Sequence, residues 1–133
     1  MNNYFFIIRF CGKFRAFMAK DGPVQAKSFD FAEKIVFFCN YLQNKHEFVI
    51  SKQLLRSGTS IGANIEEAQF AESKKDFIHK MHIALKEAYE TRYWLKLIIK
   101  CGTTKINTAQ DLLNNVNELI SLLTAIVKTS KKK

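Results

Sequence analysis

Between Phe77 and Ile98 the side chains Phe77, Met81, Ala84, Ala88, Thr91, Leu95 and Ile98 recur in an unbroken alternation of four and three residues. Only an α-helix, with its repeat of about 3.6 residues per turn, lines such a spacing up into one face. The segment opens with Ser73-Lys-Lys-Asp76, a capping-box pattern, and runs to Cys101, where Gly102 supplies a stop. Three more segments carry the same period. The first is expected from Ser28 to about Asn44, with Phe31, Ile35, Phe38 and Leu42 on one side; Ser28 is the expected N-cap, and Asp30 suits the positive end of the dipole. The second spans about Val49 to Ala71 through Ile50, Leu54, Gly58, Ile61, Ile65 and Ala68. The fourth starts at Thr108, with Asp111 three residues on, and presents Leu112, Val116, Leu119, Leu123 and Ile126. No proline interrupts any of them, and no segment alternates with period two for long enough to make a sheet. Amphipathic helices with short connections pack as antiparallel neighbours, so the expected fold is all-α: an up-down four-helix bundle over residues 28–130, with 131–133 as a basic tail.

The 133 residues are 47% apolar and 25% charged, which suits one well-filled domain and excludes a disordered polar chain, a collagen-like repeat or a Pro-rich linker. No apolar run approaches the roughly 18 residues of a membrane span, so a soluble chain is expected. Three cysteines (Cys11, Cys39, Cys101), odd in number and without a CxxC pair, fit inert thiols in a reducing compartment such as the cytoplasm. The net charge of +9 is uneven: residues 1–27 carry +4, 47–72 carry −2, 73–101 carry +4 and 102–133 carry +3. Only 73–101 is basic within a region expected to be folded. Residues 1–27 read as an N-terminal extension. Their apolar run Tyr4–Ile8 is cut short by Arg9, which excludes a secretory signal. Two readings stand: Met18 is the biological start and 1–17 a start-site artefact, or the stretch is a peripheral strand or helix packed on the domain.

Arg56 to Ala68, RSGTSIGANIEEA, is a poor helix former, each internal glycine costing roughly 1 kcal/mol relative to alanine. A phosphate-cradling loop would need Lys and Ser/Thr after the second glycine, where Ala63-Asn64 stands. A loop splitting the helix would break the stripe, yet Leu54, Gly58, Ile61 and Ile65 stay in phase. The favoured reading is a continuous helix whose small face, Gly58 and Gly62 with Ser57, Ser60 and Asn64 beside them, admits another backbone closely.

QLLRSGTSIGANIEEA, followed by SKKDFIHKMHIALKEAYETRYWLKLI, resembles the four-helix-bundle protein family encoded by intervening sequences of bacterial 23S ribosomal RNA genes. The resemblance runs from about Ser28 to Lys128. It implies an antiparallel four-helix protomer and a homo-oligomer, a ring of five. It further implies kinship with the accessory proteins of diversity-generating retroelements, which bind a reverse transcriptase and nucleic acid. It implies no enzymatic activity.

On a helical wheel the third segment shows two further faces. Lys75, His79, His82, Lys86, Tyr89, Tyr93, Lys96 and Lys100 form one basic and aromatic band, broken by no acid. Lysines can neutralise phosphates while Tyr and His offer stacking or hydrogen-bonding surfaces, so the band is the candidate nucleic-acid contact; the alternative is a solvated lysine face with its aromatics packed on a neighbouring helix. The other face holds Asp76, Ile83, Glu87, Glu90, Trp94 and Cys101, with Leu97 beside it. Ile83, Trp94 and Leu97 lie off the core stripe, which points to burial against another copy, with Gly58 and Gly62 joining the candidate interface, or to coverage by residues 1–27. Arg92, at the edge of the core stripe, is expected to pair with Glu66 as a structural tie. Asp76-x-x-His79, with His82 on the same face, matches half of a di-iron element but occurs once and away from the core, so no metal site is expected. Nor can a nucleophile–base pair be assembled, and His46 sits in a loop with nothing to single it out.

The expectation is a non-enzymatic oligomeric scaffold for RNA or a nucleoprotein, with no cofactor, small-molecule substrate or membrane partner. The alternative is a protein–protein adaptor or structural oligomer. A third reading, an enzyme with a site built at the subunit interface, would draw on Ser57, Ser60 and Asn64.

Overall fold

In the computed structural model, residues 22–102 and 105–132 are described; the readings placed on 1–21, Met18 included, lie outside them. Four helices follow one another: α1 (Pro23–Asn44), α2 (Phe48–Gln69), α3 (Lys74–Cys101) and α4 (Ile106–Lys132). Each packs on the next, and α4 returns to α1 along the thinnest seam, closing an up-down bundle. Among the described residues no helix is long and apolar enough to cross a membrane.

The apolar stripes meet in one core. Phe31, Ile35, Phe38 and Leu42 of α1 join Leu54, Ile61 and Ile65 of α2, Met81, Ala84, Ala88, Leu95 and Ile98 of α3, and Leu112, Val116, Leu119 and Leu123 of α4. Phe77, Ile50 and Ile126 are only partly buried and pack on its margin, while Val127 is buried beside Ile126. The α3 ends behave as their residues require. The Ser73 hydroxyl accepts from the Asp76 backbone N–H at 3.0 Å, and Asp76 in turn accepts from the Glu72 backbone N–H at 3.2 Å. Gly102 closes the helix with φ of 64°, a left-handed turn that a side chain would strain.

The start of α1 differs from expectation. Pro23 occupies the first turn, where its missing N–H and fixed φ suit a helix start, so α1 begins at Pro23 and Ser28 is no cap. Ser28 is buried inside the helix, and its hydroxyl donates to the Gln25 carbonyl at 3.0 Å. At the other end of the chain Lys131 and Lys132 form the last turn of α4, where cations complement the dipole.

α2 stays continuous through both glycines, as its unbroken stripe requires. The backbone that approaches it closely belongs to α1. A methyl group on Gly58 would lie 2.8 Å from Ile35 Cγ2, so the glycine is required by packing; one on Gly62 would lie at an ordinary 3.5 Å from Ser28. On its other flank α2 meets α3 through a buried pair of hydroxyls. Ser57 and Thr91 share a 3.0 Å hydrogen bond, and Thr91 also donates to the Glu87 carbonyl at 2.8 Å.

Candidate nucleic-acid interface

Because α3 touches α2 on one flank and α4 on the other, a single stripe of it is left facing outward. Lys75, His79, His82, Lys86, Tyr89, Tyr93, Lys96 and Lys100 occupy that stripe, and all of them are exposed. From Lys75 to Lys100 the band runs about 37 Å at 1.5 Å per residue, nearly the whole helix. Its aromatics do not lie beneath a neighbouring helix. Tyr89 is 44% and Tyr93 58% exposed; the Arg92 guanidinium lies 4.7 Å from the Tyr89 ring centre, and Tyr93 meets Trp94 edge-on at 5.0 Å. Among the described residues, no carboxylate pairs with Lys75, Lys86, Lys96 or Lys100.

Glu87 and Glu90 of α3 are engaged on its α2 flank. Arg56 bonds Glu87 at 3.3 Å and Glu90 more tightly, and the Trp94 indole N–H donates to Glu90 at 3.2 Å. The Arg56 bond, with help from Trp94, holds the Glu90 carboxyl below the usual carboxylate range. Further along the same flank, Lys80 meets Glu67 at 3.0 Å. This corrects the expected tie between Arg92 and Glu66, since among the described residues no ion pair joins them. Glu66 lies on the α1 side of α2, lining a groove of about 320 Å³ with Ser28, Phe29 and Gly62, whereas Arg92 folds over Tyr89. Arg56 and Glu67, three turns apart and so on one face of α2, make the bridges.

The candidate oligomer residues divide by exposure. Ile83, Trp94 and Leu97 are half-buried, and Trp94 packs against the core of its own protomer. The small face of Gly58 and Gly62 is turned toward α1, with Gly58 buried against Ile35 and Gly62 half-buried at the groove beside Ser28. Large apolar side chains stand exposed elsewhere: Phe70 at 80%, Val49 at 77% and Phe48 at 58%, at the two ends of α2, with Phe37 and Ile106 about half exposed. The sequence carried that signal, because these residues fall off the stripes, but an off-stripe apolar residue is conspicuous only once the neighbours are placed.

The family model for the 23S rRNA-intervening sequence protein matches residues 20–125. The chain belongs to this family. Its fold agrees with that of a protein of unknown function of the S23 ribosomal protein family from Bacteroides thetaiotaomicron, solved at 1.70 Å resolution. The TM-score is 0.76 and the identity 49%, over 79% of this chain and 98% of that one. A comparison with curated proteins returns no match. The family match starts at residue 20, ahead of the expected boundary at Ser28.

Within this family member the remaining polar candidates are engaged locally. Ser60 donates to the Arg56 carbonyl at 2.6 Å and Asn64 to the Ser60 carbonyl at 2.8 Å, while Ser57 is buried against Thr91. Asp76 caps α3, and His79 and His82 stand on the exposed band. Among the described residues no group of three His, Cys, Asp or Glu side chains could hold a metal ion. His46, in the turn between α1 and α2 with φ of 65°, meets the Phe48 ring edge-on at 5.6 Å. Cys39 is buried, which pushes its thiol up to about 12, and Cys101 is exposed at the end of α3.

Proposed function

We propose that this protein is a non-enzymatic oligomeric scaffold that holds RNA, or an RNA–protein particle, against the outer face of α3. The observation that carries the reading is the band itself: a stripe of exposed Lys, His and Tyr side chains along one helix, its lysines without acidic partners among the described residues. Lysines already bridged to carboxylates would have to break those bonds to meet phosphates. These have none to break among the described residues, and two acids of the same helix, Glu87 and Glu90, are held by Arg56. Family membership supports an association of identical copies, for which the resemblance implies a ring of five. Phe48, Val49 and Phe70 are the apolar groups such copies would cover.

Binding through the band should fall steeply with salt, with a log–log slope near −0.7 per phosphate neutralised on a single strand. Charge reversal at Lys86 and Lys96 should flatten that slope. Salt-independent binding, or none, removes the nucleic-acid part of the proposal. Native mass spectrometry of protein purified with and without nuclease reports subunit number and co-purifying RNA together; a monomer at high concentration removes the oligomer. The exposed apolar ends of α2 favour a second reading, an adaptor or structural oligomer that meets proteins only. Recovery of one specific protein partner and no RNA decides for it.

A further inference from the structure

We propose that the centre of the α3 face takes an unpaired RNA strand, with successive bases laid on Tyr89 and Tyr93 and the flanking phosphates on Lys86 and Lys96; this rests on the nucleic-acid reading above. Tyr89 and Tyr93 are one turn apart, about 6 Å along the helix axis. Bases stacked within a duplex follow one another at about 3.4 Å along each strand. Adjacent bases can therefore reach both rings only when the strand is unstacked and drawn out. A paired RNA helix keeps its bases stacked inside and would offer this face its backbone alone.

The rings are held ready for that contact. Arg92 supports Tyr89 from 4.7 Å, and Tyr93 makes a T-shaped contact with Trp94, whose own N–H is tied to Glu90. Both tyrosines are nevertheless about half exposed. A surface fixed before the ligand arrives loses little conformational freedom on binding. Lys86 lies three residues before the first ring and Lys96 three after the second, so a cation flanks the pair on either side. The arrangement reads no base edge, and binding should be tolerant of sequence.

The test uses the full chain and a labelled 12-nucleotide mixed-sequence RNA, free or annealed to its complement, followed by fluorescence anisotropy. The single strand should bind at least tenfold more tightly than the duplex, although the duplex carries more charge. Tyr89→Ala and Tyr93→Ala should each weaken single-strand binding by roughly fivefold or more, from the usual worth of a base on an aromatic ring. They should leave the salt slope unchanged, whereas Lys86→Glu and Lys96→Glu flatten it. Tyr89→Phe and Tyr93→Phe keep the stacking surface and should bind within twofold of the parent, which also controls for folding. Equal affinity for duplex, with the alanine variants within twofold of the parent, overturns the unpaired-strand inference and leaves the phosphate-binding face standing. No binding of either RNA overturns both.

Discussion

Two stretches of this chain stand out in the sequence for opposite reasons: Arg56 to Ala68 of α2 for its small residues, and the band of α3 for its large ones. The bundle treats them oppositely. In α2 the small residues are turned inward, where Gly58 makes room for Ile35 and Ser57 meets Thr91. In α3 the large residues are turned outward, where Tyr89 and Tyr93 stay about half exposed beside Arg92 and Trp94. Residues that lower helix propensity are retained here because closeness to α1 and α3 depends on them. Exposed aromatics, and lysines with no acidic partner among the described residues, contribute little to holding the protomer together, and this is the physical ground for looking to a partner to explain them.

The sharpest way to break that contrast is to fill the inward space. Gly58→Leu places a branched side chain where Ile35 Cγ2 already stands, and the misfit should cost about 3 kcal/mol, read as a lower urea midpoint. Unchanged stability would mean that α1 and α2 do not meet at Gly58. A finer form compares the two glycines as alanines. Both changes improve helix propensity by roughly 1 kcal/mol. At Gly62 the new methyl finds ordinary contact with Ser28, so Gly62→Ala should stabilise by up to about 1 kcal/mol. At Gly58 it meets Ile35 at 2.8 Å, and the strain should exceed the gain, leaving a net loss of about 1 kcal/mol. Equal effects of the two would remove the distinction drawn between them.

The helices were legible because each holds its period for several turns, and the ends of α3 because Ser73, Asp76 and Gly102 act on backbone groups within a few residues of themselves. For the same reason the band was legible as one continuous face, though not as the outward one. Which flank of a helix meets which neighbour was not. A helix in a bundle is covered by two others, so the stripes on either side of its core face are half-buried. Ile83, Trp94 and Leu97 lie there, and a wheel drawn for one helix counts them as surplus. Pairing between helices also depends on their axial register. Nothing in the spacing of either helix says that Arg56 would reach Glu87 and Glu90, or that Glu66 would face away from Arg92 while Glu67 faces Lys80. Ser28 misled because it matches a cap by type, while Gly22-Pro23 had already started the helix.

On the outward side the corresponding stability change should be close to nil. Lys86→Glu with Lys96→Glu removes exposed side chains that hold no bridge among the described residues, so melting should stay within about 0.5 kcal/mol of the parent. The same pair is the one that should flatten the salt dependence of RNA binding. A large loss of stability would show that the band helps hold the fold and would undo the contrast with α2.

The smallest effect belongs to the border between the two surfaces, where Arg56 holds Glu90 and Trp94 donates to it. Those bonds lower the Glu90 pKa in the folded chain. Unfolding releases the carboxyl to its ordinary value of about 4.3. The folded state therefore binds this proton less readily than the unfolded one, and the associated stability is present above about pH 4. It is lost as the pH falls through the depressed value. Glu90 is more than a third exposed, so solvent screening keeps the contribution to roughly 0.5 kcal/mol. Glu90→Gln should remove that part of the acid slope in urea midpoints below pH 4.3, and Lys86→Gln should leave it intact. An identical slope in parent and Glu90→Gln chains would show that Arg56 does not hold Glu90 in solution. Repulsion from an unpaired Glu90 would then fall on any phosphate approaching Tyr93, and the acid flank and the basic band could no longer be treated as separate surfaces.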